Sequence, residues 1–114
     1  MVDEITLAKQ AIKGDEAAQT LLLSIYKDAM YRVAYSYMQN EHDANDALSE
    51  MSYLALKNMH KVKSPQHFKT WLVRIVINTC LQMKRKQRKM LITEVLPEQT
   101  ETMKKLFDLN DAIS

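Results

Sequence analysis

The sequence predicts an all-α protein: a bundle of four main helices, then a linker and a short C-terminal helix. Three observations carry that expectation. The 114 residues include one glycine and two prolines, too few turn formers for hairpins or a sandwich. Leu, Met, Ala, Lys and Gln are abundant, and all favour helix. Apolar residues recur at intervals of three and four along most of the chain, the period of a helix buried on one face. A chain of this length supports one domain with a modest core. The domain is expected over residues 1–90, with linker and tail over 91–114.

The elements follow in order. A first helix is expected over Glu4 to Lys13, with Ile5, Ala8 and Ile12 inward. Gly14 stops it, and Asp15 caps the second by accepting from free N–H groups. That second helix runs from Glu16 to Gln39 on a stripe of Ala18, Leu22, Ile25, Tyr26, Ala29, Val33 and Tyr37. Leu21, Met30, Ala34 and Met38 widen the stripe, so more than one neighbour must cover it. Asn40 to Asp43 is a polar break, with Asp43 as the expected cap of a third helix reaching Met59. Its buried stripe is Ala44, Ala47, Leu48, Met51, Leu54 and Ala55. His60 to Lys63 reads as a short basic loop. Ser64 and Pro65 then open a fourth helix reaching Lys89, the serine as cap and the proline where its missing N–H costs nothing. Phe68, Trp71, Leu72, Ile75, Val76 and Thr79 form its predicted core face. Leu96-Pro97 marks the linker, and Glu101 to Ile113 the last helix.

Several function classes are excluded early. There is no Gly-rich phosphate loop, nucleophile elbow, HExxH or CxxC pattern, so the chain does not read as an enzyme. Cys80 is alone, which rules out an internal disulfide and a cysteine-based zinc site. His42, His60 and His67 lack ligand spacing, so neither a metal nor another cofactor is expected, and no small-molecule substrate is implied. No apolar run approaches the roughly 20 residues of a bilayer span, and the acidic start from Met1 to Glu4 is unlike a signal peptide. Membrane insertion is not expected, and cytoplasmic residence is the default.

The net charge is only +2, but its distribution is uneven. Lys84, Arg85, Lys86, Arg88 and Lys89 crowd the end of the fourth helix. At about 100° per residue, Arg74, Asn78 and Arg85 share one flank opposite the core stripe. An amide such as Asn78 can address a base edge, and Arg74 and the basic run can pair with phosphates. Val73 and Ile77 lie among them. Such aliphatics serve either a further helix or a nucleic-acid face, and both readings stand.

Phe68-Lys69-Thr70-Trp71-Leu72-Val73-Arg74-Ile75-Val76-Ile77-Asn78-Thr79-Cys80, followed by Lys84-Arg85-Lys86, resembles the F-x-T-W-L-x-R-I-x-x-N signature of region 2 of extracytoplasmic-function sigma factors. Upstream, His42-Asp43-Ala44-Asn45-Asp46-Ala47-Leu48-Ser49-Glu50 is similar to the family's acidic D-A-x-D-x-x-Q-E segment. Lys13-Gly14-Asp15 fits the turn before its second helix. The resemblance spans about residues 5–90. It implies a sigma region 2-like bundle whose second and third helices dock on the β′ clamp helices of core RNA polymerase, with Asp43, Asp46 and Glu50 at the acidic contact positions. It also implies that the fourth helix and the preceding loop hold the non-template strand of the promoter −10 element and extract a base. The matching positions are Asn58, His60, Lys61, Val62, Lys63, Val73, Arg74 and Asn78. Lys84, Arg85, Lys86 and Arg88 would grip backbone phosphates upstream. Phe68, Trp71, Leu72 and Ile75 are expected in the core.

The chain departs from the pattern at Ser49, where glutamine is usual, and at Gln82, where many relatives carry aspartate. The loop has Val62 and no aromatic, so ring stacking is not expected there. Leu106 to Ser114 resembles the start of the family's C-terminal region 4, so the chain is expected to be a fragment. An anti-sigma factor is a further implied partner. The alternative function is therefore a protein-interaction module, sequestered without productive DNA contact, to which Val73, Ile77 and Leu81 are also suited.

Overall fold

A computed structural model describes residues 3–95. Four α-helices appear there and no strand: α1 (Glu4–Ile12), α2 (Glu16–Met38), α3 (Glu41–Asn58) and α4 (Phe68–Val95). Two 3-10 turns, Met59–Lys61 and Pro65–His67, connect α3 to α4. The all-α class is borne out. Contacts divide the chain into units of residues 1–81 and 82–114, and α4 runs into both. The linker at Leu96-Pro97 and the helix expected over Glu101 to Ile113 lie outside the described residues.

Local signals explain most boundaries. Asp3 caps α1 by accepting from the Thr6 N–H at 2.7 Å. At the other end Gly14 takes φ 108°, and the N–H groups of Gly14 and Asp15 return to the carbonyls of Ala11 and Gln10. This double closure satisfies carbonyls the helix leaves open, and it needs the left-handed backbone that glycine adopts readily. Asp15 caps α2 as predicted, accepting from Ala18 N–H. Gln39 ends α2 in the left-handed region at φ 62°.

Two starts differ from expectation. Asn40, not Asp43, caps α3: its extended backbone lets the amide oxygen accept from Asp43 N–H at 2.8 Å, so Asp43 sits inside the first turn. Pro65 opens a 3-10 turn, and α4 begins only at Phe68. Ser64 caps no backbone N–H there and donates instead to Gln66 Oε1 at 2.6 Å. A separate turn lets the chain change direction between loop and helix, which a continuous helix from Pro65 could not do. α4 also outlasts the expected end at Lys89, reaching Val95.

Antiparallel α1 and α2 are tied by Gln19 Nε2, which donates to the Ala11 carbonyl, and by the Tyr26 hydroxyl, which donates to Glu4 Oε2. Leu7, Ala8 and Ala11 are the buried residues of α1. Ile5, expected inward, is 48% exposed, because it sits about 200° round the helix from Leu7. On α2 the buried residues are Ala18, Leu22, Met30, Ala34 and Met38. Steps of four residues overrun a full turn by about 40°, so this seam winds round the helix and meets different neighbours along its length. Ile25 falls beside the seam and is 47% exposed, against expectation; Tyr26, Ala29, Val33 and Tyr37 are half-buried along its edges. α3 buries Ala44, Ala47, Leu48, Met51 and Ala55, with Leu54 half-buried.

Two substitutions test the turns by thermal unfolding. Gly14→Ala meets no atom within 4 Å, so its loss of about 1 kcal/mol is a backbone cost alone. Gln39→Gly relieves a left-handed residue and is expected to raise stability by about 0.5 kcal/mol.

Candidate nucleic-acid interface

Between the two 3-10 turns the chain is extended, with Val62 at φ −68°, ψ 119° and Ser64 at φ −122°, ψ 111°. This short segment stands away from α4 and leaves a cleft of about 410 Å³. Lys61, Val62, Lys63 and Ser64 form one wall; His67, Thr70, Trp71 and Arg74 form the other. Positions 67, 70, 71 and 74 share one flank because they recur at three and four. Three permanent cations and no carboxylate line the cleft, so its field attracts an anionic chain. Lys61, Lys63 and Arg74 are exposed, while Val62 and Trp71 are half-buried. A cationic rim over an apolar interior suits a ligand that is charged along its backbone and flat in its side groups.

Trp71 is the main correction. It was expected inside the core beside Ile75, and both are half-buried. The sealed face of α4 in the first unit is Phe68, Leu72, Val76, Thr79 and Cys80. Trp71 lies at the edge of that face, with one side against Phe68, ring centroids 5.4 Å apart, and another in the cleft. An aromatic wall therefore faces Val62 after all, supplied by the helix and not by the loop. Phe68 in turn stacks on Tyr26 of α2 at 6.2 Å, which links the cleft to the interior.

The structure gathers Lys61, Val62, Lys63 and Arg74 of the predicted strand-contacting residues in the cleft. Asn58 is not among its lining: its amide donates to the Leu54 carbonyl at 2.9 Å on the last turn of α3. His60 is exposed on the first 3-10 turn, Asn78 is exposed on α4 and Val73 is half-buried there, all three outside the cleft lining. In the second unit Lys84, Lys86 and Arg88 are exposed and Arg85 is half-buried. Sequence reasoning missed Ser64, His67, Thr70 and Trp71 as lining residues. The spacing from His67 to Arg74 carried the signal for the three on the helical side.

On α3, Asp46 and Glu50 are exposed, and Asp43 is half-buried, accepting from Asn40 Nδ2 at 3.0 Å. His42, Asp43 and Asp46 bring ligand-type atoms within 4.8 Å of one another, the one such group among the described residues. Their proximity is accounted for by local contacts, since His42 Nε2 lies 3.4 Å from Asp46 Oδ2 one turn away. Farther along, Tyr53 is 59% exposed and carries Lys57 Nζ 5.9 Å above its ring. Between α2 and α3 a second recess, of about 380 Å³, is lined by Thr20, Leu23, Ser24, Lys27, Leu48, Ser49, Met51 and Ser52. No described helix is long and apolar enough to cross a membrane.

Among the described residues the chain is an all-helical domain with a cationic cleft and an acidic helix face. Comparison with known proteins makes the class specific. The family model of Sigma-70 region 2 matches residues 22–90, and the chain belongs to that family. It is 30% identical over 110 residues to the RNA polymerase sigma factor SigV of Bacillus subtilis, covering 90% of this chain and 66% of that protein. It is 35% identical over 80 residues to the ECF RNA polymerase sigma factor SigW of Bacillus subtilis, covering 70% of this chain and 43% of the relative. The ECF RNA polymerase sigma factor SigE of Mycolicibacterium smegmatis is 34% identical over 88 residues, 75% of this chain and 34% of the relative. Each match thus spans less than two thirds of the relative's length. No solved structure matches the chain significantly. The resemblance to the extracytoplasmic-function type is borne out.

One titration reports on the frame behind the cleft. Burial, together with the hydrogen bond to Glu4 and its charge, pushes the Tyr26 phenol up to about 12 from its ordinary 10.0. The folded chain therefore binds that proton more tightly than the unfolded one. The associated stability is complete below pH 10 and is lost as pH rises through about 12. Denaturant unfolding across that window should show a steeper loss for the wild type than for Tyr26→Phe; equal slopes would refute the assignment.

Proposed function

We propose that this chain is the region 2 part of an RNA polymerase sigma factor of the extracytoplasmic-function type, and that its cleft captures unpaired promoter DNA. The observation carrying this reading is the cleft itself, cationic at its rim and walled by an indole. Opening a duplex costs a few kcal/mol for each base unstacked. Trapping the released strand offsets that cost: Lys61, Lys63 and Arg74 pair with phosphates while a base lies between Val62 and Trp71. Asn78 and the basic run from Lys84 to Arg88 extend the contact along α4. Asp43, Asp46 and Glu50 meet the clamp helices of the polymerase β′ subunit. Residues 1–90 form the functional domain in this reading, residues 91–114 are a linker and the start of the C-terminal region, and the work is non-catalytic and cytoplasmic. What supports it is family membership, the names of the relatives and the chemistry of the two faces.

A second reading, sequestration by an anti-sigma factor, draws support from Val73 and Ile77, half-buried on α4, and from Leu81, which is 40% exposed. The two separate by salt. Single-stranded −10-type DNA is titrated at two salt concentrations with the wild type and Arg74→Ala. Strand capture predicts weaker binding of the variant and a salt slope lower by about 0.7, the value for one phosphate contact on a single strand. Binding that ignores both salt and Arg74 would favour the protein-interface reading. In parallel, Asp46→Lys with Glu50→Lys should weaken core-polymerase binding about tenfold. Oligonucleotide affinity should not fall.

A further inference from the structure

The matched family region begins at Leu22, so α1 lies outside it, yet α1 is built into the cleft's support. α1 packs against both 3-10 turns that bracket the extended segment Val62–Ser64. Its buried side chains, Leu7, Ala8 and Ala11, are mostly small and permit close approach, and Met59 in the first turn is fully sealed. α1 is also fastened to α2 near both ends, by Gln19 onto the Ala11 carbonyl at 3.0 Å and by Tyr26 onto Glu4 at 3.0 Å. The ring of that tyrosine stacks on Phe68, which touches Trp71 on the opposite wall. One wall of the cleft thus rests on α1 through the turns, and the other is joined to α1 through three aromatic rings.

We infer that α1 is the positioning element of the capture cleft: by bearing on both turns and clamping to α2, it sets the spacing between the Val62–Ser64 loop and Trp71. This rests on the strand-capture reading above. A loop held only at its ends by turns has several available conformations, and strand binding must select the one that spaces the walls correctly. Seating both turns on one helix removes that cost before the ligand arrives. Glu4, Gln19 and Tyr26 are then positioning residues that need touch no nucleotide.

Trp71 is the single tryptophan of the chain, so its fluorescence reads the cleft wall directly. The test compares the wild type with Gln19→Ala/Tyr26→Phe, which removes both fastenings and keeps every ring. Acrylamide quenching of Trp71 and affinity for a single-stranded oligonucleotide are measured at a temperature where circular dichroism shows both proteins folded. Quenching is expected to rise and affinity to fall about fivefold, the scale of one or two lost hydrogen bonds. Should the double variant not fold, Glu4→Ala against Glu4→Gln replaces it: glutamine retains an acceptor for Tyr26 and should restore wild-type behaviour, whereas alanine should not. Variants that melt earlier but keep wild-type quenching and affinity would reduce α1 to a stabilising helix and overturn the inference. Arg74→Ala is the control. If it weakens binding and the fastening variants do not, the inference alone fails. If it also leaves binding unchanged, the strand-capture reading fails and takes the inference with it.

Discussion

Phe68 occupies the position on which the cleft depends. It is the first residue of α4 and is 1% exposed, with its ring between Tyr26 of α2 and Trp71. The segment before it includes no α-helix and only two short turns, so it cannot hold its own shape through a regular hydrogen-bond ladder. It is held by its ends instead: Met59, fully buried at one, and Phe68, fully buried at the other. Close contact in an interior leaves such anchors little freedom, and a short loop between two fixed points has less room to wander than a free one. The extended residues between them can then present cations to solvent without collapsing onto the helix.

Satisfaction of polar groups divides the helices into a sealed side and an addressable side. Among the described residues, no buried side-chain nitrogen or oxygen lacks a partner. Thr79, the one buried polar residue among those described, donates to the Ile75 carbonyl one turn back, and Ser52 does the same to Leu48. Such closure within one helix costs the interior nothing in unmet hydrogen bonds and leaves the neighbouring face apolar. Charge is displaced outward: Lys61, Lys63, Arg74, Asp46 and Glu50 are all exposed. Exposed cations contribute mainly through counterion release and steering.

Much of the fold was legible because its signals are local. Gly14 and Asp15 mark the first turn through backbone freedom and a side-chain acceptor, and neither needs a neighbour to act. Asn40 and Asp43 show the limit of such reading: both are good caps three residues apart, and backbone geometry alone selected Asn40. The break at Ser64-Pro65 was recognised, but whether the following residues form α-helix or 3-10 turn depends on where Phe68 is pulled. The cleft was half legible. Lys61, Val62 and Lys63 are marked by the family resemblance and Arg74 by its place on the polar flank of the helix, while Trp71 reads as core from its place on the apolar stripe.

The sequence by itself determined the helical class, the order of the elements, the punctuation at Gly14 and Asp15 and the sign of charge on each face, because periodicity, caps and composition act within a few residues. Tertiary structure alone decided which stripe-edge residues are sealed. Cys80 and Trp71 border the same stripe of α4, yet Cys80 is fully buried and Trp71 keeps one side in a cleft. Helical phase cannot separate them, because exposure at a stripe's edge is set by what the neighbouring segment covers. Here that neighbour is an extended loop held away from the helix, and the gap it leaves turns a core-type aromatic into a wall of the site.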